Sequence, residues 1–237
     1  MKLPKLKLPN WVGNLEIKKT EFDKLYKKHI SDPVLKDATG INYNGCQNAS
    51  EFFAMWGILS QYIIQRKLKK VRFLEIGAYK GLWALMLSHI CDKLKVDYEY
   101  TTITKLSQDS TNNLTGPMVY YYNKNKHFKV IDKYSQDPSV VNDLDKEYDF
   151  VFIDGGHSYD EAFSDFMVFP KFCKSILFWH DLSSEDVQKA YKNAGVFMHE
   201  QFLVDSRYCG IGINYIDEDF FDNFRWNKTP NELRFSY

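Results

Sequence analysis

The fold follows from the stretch Val71-Arg-Phe-Leu-Glu-Ile-Gly77-Ala-Tyr-Lys-Gly81. The residues up to Gly77 are mostly apolar, which predicts a short buried strand that ends at this glycine. After Gly81, apolar side chains recur at helical spacing as far as Ile90, which predicts a helix. A strand, a glycine-containing turn and a helix in this order indicate the first unit of an α/β domain.

The same alternation of strands and helices continues along the chain. Further strands are predicted at Tyr98–Ile103, Phe128–Asp132, Phe150–Asp154, Ser175–Trp179, His199–Val204 and Gly210–Ile216. Helices are predicted after Asn48, near 137–145, at 159–169 with Ala162, Phe163, Phe166 and Met167 buried, and after the N-cap Ser183. These elements predict an α/β fold with a mainly parallel, seven-stranded sheet, helices on both faces and a terminal antiparallel hairpin.

The composition is that of a globular protein, because 44% of the 237 residues are hydrophobic and 26% are charged. It excludes a disordered chain, a collagen-like chain and a coiled coil. The 31 basic residues balance the 31 acidic ones, without the basic excess of a protein that binds nucleic acid. No apolar run approaches the roughly 20 residues that span a bilayer, so no membrane partner is expected.

The two ends of the chain differ from its middle. Residues 1–30 hold eight lysines and three acidic residues, a net charge of +5, and prolines interrupt this region. It lacks the apolar core of a signal peptide, so we expect a cytoplasmic protein. The four cysteines have the spacing of neither a zinc site nor a redox pair, and we expect buried free thiols. We predict an N-terminal arm or cap at 1–44, one domain at 45–216 and a C-terminal extension at 217–237. The extension either packs on the domain or contacts another copy in a homo-oligomer.

Three of the predicted strands end in a carboxylate: Glu75, Asp154 and Asp181. In open α/β sheets, ligands bind outside the carboxyl ends of the strands. An acid at the end of a buried strand also needs a partner, because removing its charge from water is costly. We therefore expect a ligand site at this edge of the sheet, with three separate structural roles as the alternative.

The turn after the first strand is unsuited to a dinucleotide. A dinucleotide-binding turn has the spacing G-x-G-x-x-G, whereas Gly77 and Gly81 are four positions apart and Glu75 stands where the first glycine would be. The Glu75 carboxylate would repel a pyrophosphate. The turn suits a cofactor with a cationic end and no phosphate, such as S-adenosylmethionine (SAM).

At these positions the sequence resembles the class I SAM-dependent methyltransferases, whose first motif is E/D-x-G-x-x-x-G. The segment Asp154-Gly-Gly-His157-Ser-Tyr159, with His180-Asp181 further on, resembles the D-G-x-H-x-Y…H/E-D pattern of the macrocin-type O-methyltransferases and cephalosporin-hydroxylase-related proteins. The resemblance covers roughly residues 50–215. It implies a Rossmann-like methyltransferase fold, and it implies that SAM contacts Glu75, Gly77, Ala78, Tyr79, Gly81 and Asp154.

The resemblance also implies a divalent cation on the strand-end acids. Asp154 and Asp181 would share the ion, and two carboxylates with water suit Mg²⁺. Asp154 is thereby a candidate catalytic residue as well as a ligand. His180 ranks below Asp181, because successive strand residues point to opposite faces and both can ligate only if the strand has already ended. Ligation by His180 would favour Mn²⁺ or another transition ion.

His157 is the candidate general base that deprotonates an acceptor hydroxyl, since imidazole titrates near neutral pH. The alternative is a loop histidine that caps the next helix. Two positions depart from the family pattern: Thr104 or Thr102 stands where an acid usually holds the ribose, and Gly156 stands where relatives often have an acid. Glu99 could replace the ribose acid only if the strand boundary is misplaced. Asp132 and Ser135 are the candidate contacts on the adenine side.

These features favour a SAM-dependent O-methyltransferase, metal-assisted and acting on a small hydroxylated acceptor such as a sugar. A nucleic acid is not expected as the acceptor, although the lysine-rich arm could touch phosphate. Two alternatives stay open: a SAM-fold enzyme that does not transfer methyl, such as a hydroxylase-like protein, and a non-catalytic binding protein. Glu75 argues against an NAD enzyme.

Overall fold

The computed structural model describes residues 49–78, 81–105, 127–144, 147–194 and 210–215, together with Lys24. Its helices are α1 (Ala49–Gln65), α2 (Leu82–Leu94), α3 (Val140–Asp143), α4 (Tyr159–Val168) and α5 (Glu185–Asn193), with a 3₁₀ turn at Pro170–Phe172. Its strands are β1 (Lys70–Ile76), β2 (Asp97–Ile103), β3 (Phe128–Ile131), β4 (Tyr148–Ile153), β5 (Cys173–Trp179) and β6 (Gly212–Tyr215).

The six described strands form one sheet in the order β3-β2-β1-β4-β5-β6. The first five are parallel, and β6 pairs with β5 in the antiparallel direction. The strand order reverses beside β1, which lies between β2 and β4, and ligands of open α/β sheets bind at the carboxyl ends of strands at such a point. The predicted α/β fold with its terminal antiparallel strand is confirmed. The predicted strand at 199–204 lies outside the described residues.

Two apolar layers cover the sheet, one on each face. Phe73, Phe150 and Phe178 pack with α1 and α2 on one face, while Trp179 and Phe166 pack with α4 and α5 on the other. All six residues of β4 are buried, which explains why the central strands are almost uninterrupted apolar runs in the sequence.

Three details of the helices differ from the sequence prediction. Met167, predicted to be buried, is 59% exposed, whereas Asp165 on the same helix is 1% exposed. The N-cap of α5 is Ser184 rather than Ser183, and its side chain makes no capping hydrogen bond. The helix predicted near 137–145 is the single turn α3.

Of the predicted arm at 1–44, the structure describes Lys24 alone, and the predicted extension at 217–237 lies outside the described residues. Within the described part of the chain, no helix combines the length and apolar character required to cross a membrane.

Candidate functional site

The predicted strand-end acids lie on adjacent strands in the middle of the sheet. Glu75 is the penultimate residue of β1, Asp154 follows β4, and Asp181 lies two residues beyond β5. Backbone pairing continues just past the strands: the Asp154 N–H donates to the Ile76 carbonyl at 2.8 Å, and the His180 N–H to the Ile153 carbonyl at 3.0 Å. The ends of β1, β4 and β5 are thereby held side by side.

Four side chains meet at this edge. His180 Nδ1 lies 2.9 Å from Asp154 Oδ1 and 3.2 Å from Asp181 Oδ2, and His157 Nε2 lies 2.7 Å from the same Asp181 oxygen. One ligating atom from each of Asp154, His180 and Asp181 falls within 4.8 Å of the others. We call Asp154, His157, His180 and Asp181 the strand-end cluster.

The backbone of Asp181 explains how two consecutive residues reach the same cluster. β5 ends at Trp179, so the alternation of strand side chains no longer applies at His180. Asp181 then adopts a left-handed conformation, with φ of 57°. This conformation costs roughly 1–2 kcal/mol for most residues, and Asp and Asn adopt it most readily among those with a side chain. His180 therefore joins the cluster, although its position in the sequence had ranked it below Asp181.

The cluster separates the pKa values of its two carboxyls. Burial raises the pKa of Asp154, and the neighbouring charge on His180 only partly offsets this. Burial acts in the same direction on Asp181, but hydrogen bonds from His157 and His180 outweigh it and hold the pKa of Asp181 well below its usual range. The contact with Asp181 in turn raises the pKa of His157. Asp181 is thus the fixed anion of the cluster.

Glu75 is a buried acid that faces Thr102 in the register between β1 and β2. Its Oε2 makes no hydrogen bond within the described residues. Burial raises its pKa well above the ordinary value, while the hydroxyls of Tyr100 and Thr102 lower it in part. A cationic group bound at Glu75 would stabilise the ionised carboxylate.

The turn after β1 depends on its glycines. Gly77 has φ of 83°, and a Cβ at this position would lie 2.0 Å from the backbone oxygen of Asp154. Gly81 has φ of 73° and is the N-cap of α2. Ala78 is buried, and Tyr79 lies outside the described residues. The turn and the end of β4 therefore touch backbone to backbone.

The predicted adenosine side lies at the ends of β2 and β3. Thr104 follows β2 and its N–H donates to the Ile131 carbonyl at 3.1 Å. Asp132 is exposed and forms an ion pair with Lys105 at 3.1 Å. Ser135 accepts a hydrogen bond from the Gln136 amide at 2.8 Å. These residues line the edge that continues from Glu75.

Glu99 lies away from that edge. It is the third residue of β2, near the amino end of the strand, and its carboxylate pairs there with Lys70 and Arg72. The strand boundary predicted at Ile103 is correct, so Glu99 is no substitute for the ribose acid.

Gly156 stands where related sequences often have an acid, and the structure gives a steric reason for the glycine. Ser158 is the N-cap of α4 and forms a capping box with Glu161. A Cβ at Gly156 would lie 2.5 Å from Glu161 Oε2, so the capping carboxylate fills the space that a side chain at 156 would need. The spacing of Ser158 and Glu161 is a capping signal that the sequence analysis missed. Because Ser158 is the cap, His157 does not have that role.

Residues 74–182 match the family model of a methyltransferase domain, and this range runs from the last residues of β1 through β5 and contains the strand-end cluster. No curated protein sequence matches the chain. The match lies within the region in which the sequence resembles the SAM-dependent methyltransferases.

Solved structures share the fold at low sequence identity. The O-methyltransferase NovP is 10% identical, with a TM-score of 0.55 over 82% of this chain and 98% of its own. The SAH-bound methyltransferase PaMTH1 of Podospora anserina is 13% identical, with a TM-score of 0.52 over 89% of both chains. Residues 74–182 thus match a methyltransferase domain, and the chain shares its fold with methyltransferases of known structure.

Proposed function

We propose that this methyltransferase transfers the methyl group of SAM to a hydroxyl oxygen of a small acceptor such as a sugar, with a divalent cation at the strand-end cluster. The observation that carries the proposal is the cluster itself, which places two carboxylates and two imidazoles at the edge where α/β folds bind ligands. The likeness in fold to the O-methyltransferase NovP supports transfer to oxygen.

The residues at the ends of β1 to β4 fit SAM. When bound, SAM supplies a methyl group on a cationic sulfonium, and its thioether leaving group is neutral and needs no acid. Glu75 offers the cationic end a buried carboxylate with a spare oxygen. The remaining residues proposed to contact the cofactor are Gly77, Ala78, Tyr79 and Gly81 in the turn, Thr104 at the ribose, Asp132 and Ser135 at the adenine, and Asp154.

The cluster also fits a divalent cation. Neighbouring ligands of an octahedral ion with bonds of about 2.1 Å are about 3.0 Å apart, and His180 Nδ1 lies 2.9 Å from Asp154 Oδ1 and 3.2 Å from Asp181 Oδ2. An ion held by Asp154, His180 and Asp181 would lower the pKa of an acceptor hydroxyl nearby. Its imidazole ligand favours Mn²⁺ or another transition ion over Mg²⁺.

His157 is the proposed general base. Its Nε2 faces the Asp181 anion at 2.7 Å, so Nε2 carries the proton and Nδ1 has the lone pair that accepts one. A base whose orientation is fixed by a carboxylate is the arrangement that many hydrolytic and transfer enzymes use. The side chain of His157 is 60% exposed, which leaves it open to an acceptor.

The acceptor is proposed to be small and uncharged. The chain has equal numbers of acidic and basic residues, which gives no broad attraction for a polyanion. A sugar presents several hydroxyls and suits both a general base and an oxygen-binding cation. The regions proposed to form the acceptor pocket are the arm at 1–44, residues 105–125 and the extension at 217–237.

A cytoplasmic location belongs to the same proposal. The two described cysteines, Cys91 and Cys173, are unpaired and buried. Unpaired thiols are typical of reducing compartments. Fractionation of cells that express the protein tests this, and recovery outside the cytoplasm would contradict it.

Calorimetry tests the first requirement of the proposal, which is that the protein binds SAM. We expect micromolar binding of S-adenosylhomocysteine and SAM and no binding of NAD, because the Glu75 carboxylate repels a pyrophosphate. Asp186→Asn, which changes an exposed acid on α5, should bind as the wild type does. Absence of binding to either adenosyl compound would favour a non-catalytic protein on the same fold.

The choice of metal is a second expected result. Chelation should lower turnover at least tenfold, Mn²⁺ should restore it better than Mg²⁺, and His180→Asp should reverse that preference, since it replaces nitrogen by oxygen. Binding of S-adenosylhomocysteine to each sample serves as the control for folding. Full turnover in the presence of a chelator would contradict the metal assignment.

A further inference from the structure

Asp165 is a buried acid that the proposed chemistry does not use. It lies in α4, faces the sheet and is 1% exposed. Its Oδ1 accepts a hydrogen bond from Gln136 Nε2 at 3.1 Å, while Oδ2 has no hydrogen-bond partner within the described residues. A carboxylate is costly to bury, so this position requires an explanation.

Asp165 lies between two turns of the chain, the turn after β3 and the turn after β4. On one side are Ser135 and Gln136, in the turn after β3, which are themselves joined by a hydrogen bond of 2.8 Å. On the other side is Gly155, in the turn after β4, where a Cβ would lie 2.6 Å from Asp165 Oδ2. Gly155 joins Asp154 to the segment that carries His157.

The pKa of the Asp165 carboxyl reflects its burial. Burial is the main cause that raises the pKa of Asp165 to about 7; the charge on Glu161 acts in the same direction, and the Ser135 hydroxyl and the Gln136 amide act against it. The groups that bind this carboxyl are therefore the side chains of the turn after β3. No described lysine or arginine is among the groups that shift its pKa.

We propose that Asp165 is a positioning residue of the methyltransferase, which holds the Ser135–Gln136 turn against the Gly155 turn so that the adenosine side of the cofactor site keeps its shape. Asp165 does not itself touch the reacting atoms. The inference rests on the proposed function through one residue, Ser135, as a contact of the cofactor.

The first test compares Asp165→Ala with Asp165→Asn. We expect Asp165→Ala to raise the KM for SAM and the dissociation constant of S-adenosylhomocysteine roughly tenfold or more, since hydrogen bonds to a buried carboxyl are lost. The kcat at saturating SAM should stay within about threefold of the wild type, because the strand-end cluster is unchanged. Asp165→Asn should recover most of the affinity, since its amide oxygen still accepts from Gln136.

The outcomes separate this inference from the proposed function. If the wild type does not bind S-adenosylhomocysteine, the proposed function fails before Asp165 is tested. If the wild type binds and Asp165→Ala binds equally well, or if only thermal stability and kcat fall, the positioning role is overturned. Asp160→Asn, an exposed acid on the same helix, is the matched control and should bind as the wild type does.

A second pair of variants covers the case in which Asp165→Ala does not fold. Gln136 is exposed, so Gln136→Ala should fold. It should weaken S-adenosylhomocysteine binding severalfold in the wild type and by a similar factor in the Asp165→Asn background, because the asparagine oxygen still accepts from Gln136. No effect in either background would overturn the inference.

Discussion

Replacing His157 by alanine should lower kcat by about 10²–10⁴ and leave the dissociation constant of S-adenosylhomocysteine unchanged. The reason is that general-base catalysis contributes a factor of this size, while His157 is 60% exposed and supports no apolar core. The measurement is steady-state turnover with an accepted acceptor, together with calorimetry of the product cofactor. His157→Ala that keeps full turnover would exclude this residue as the base.

His157→Gln separates the chemistry from the contact with Asp181. A glutamine amide can donate a hydrogen bond to the Asp181 carboxylate but cannot take a proton at neutral pH. We therefore expect His157→Gln to be as inactive as the alanine variant. Recovery of turnover in His157→Gln would mean that the histidine only supports Asp181, and the base would have to be sought elsewhere.

Replacing Gly77 by alanine should cost at least about 3 kcal/mol of the free energy of unfolding, a size reserved for severe steric or backbone conflicts. Two penalties combine at this position. The backbone is left-handed, with φ of 83°, and the new Cβ would lie 2.0 Å from the backbone oxygen of Asp154. Neither atom is at the end of a flexible side chain, so β1 and β4 would have to separate.

Denaturant unfolding of Gly77→Ala and of its neighbour Ala78→Gly measures this effect. Ala78 is buried, and its replacement by glycine removes one methyl group without introducing a collision, so a loss of about 1 kcal/mol is expected. If Gly77→Ala were no less stable than Ala78→Gly, the backbone contact between the turn and Asp154 would not be essential. We also expect Gly77→Ala to bind the cofactor more weakly, in proportion to its loss of stability.

Much of the site was predictable, because apolar strands that end in carboxylates are visible in a sequence. Glu75, Asp154 and Asp181 were expected to meet on adjacent strands, and they lie at the ends of β1, β4 and β5. In open α/β sheets, ligands bind at the carboxyl ends of the strands, so the polar residues at these ends are the first candidates for a binding site. Their roles in binding and catalysis stay predictions.

The structural details that could not be predicted from the sequence depend on backbone angles and on packing between elements that are distant in the chain. No pattern in the sequence indicates that Asp181 is left-handed, the conformation in which its side chain lies in the cluster beside His180. The burial of Asp165 depends on the turn after β3, some thirty positions earlier in the chain. Met167 was expected inside because it is apolar, yet the rotation of α4 places Asp165 toward the sheet instead.

The left-handed backbone at Asp181 also limits how this lineage can diverge. Asparagine accepts that conformation almost as easily as aspartate, and a single transition in an aspartate codon produces it. Such a change would remove the anion that holds both histidines, while the fold and the Glu75 turn persist. If the strand-end cluster has its proposed role, Asp181→Asn would lower turnover while binding of the adenosyl group persists, whereas residues without a short polar side chain would strain the backbone at this position.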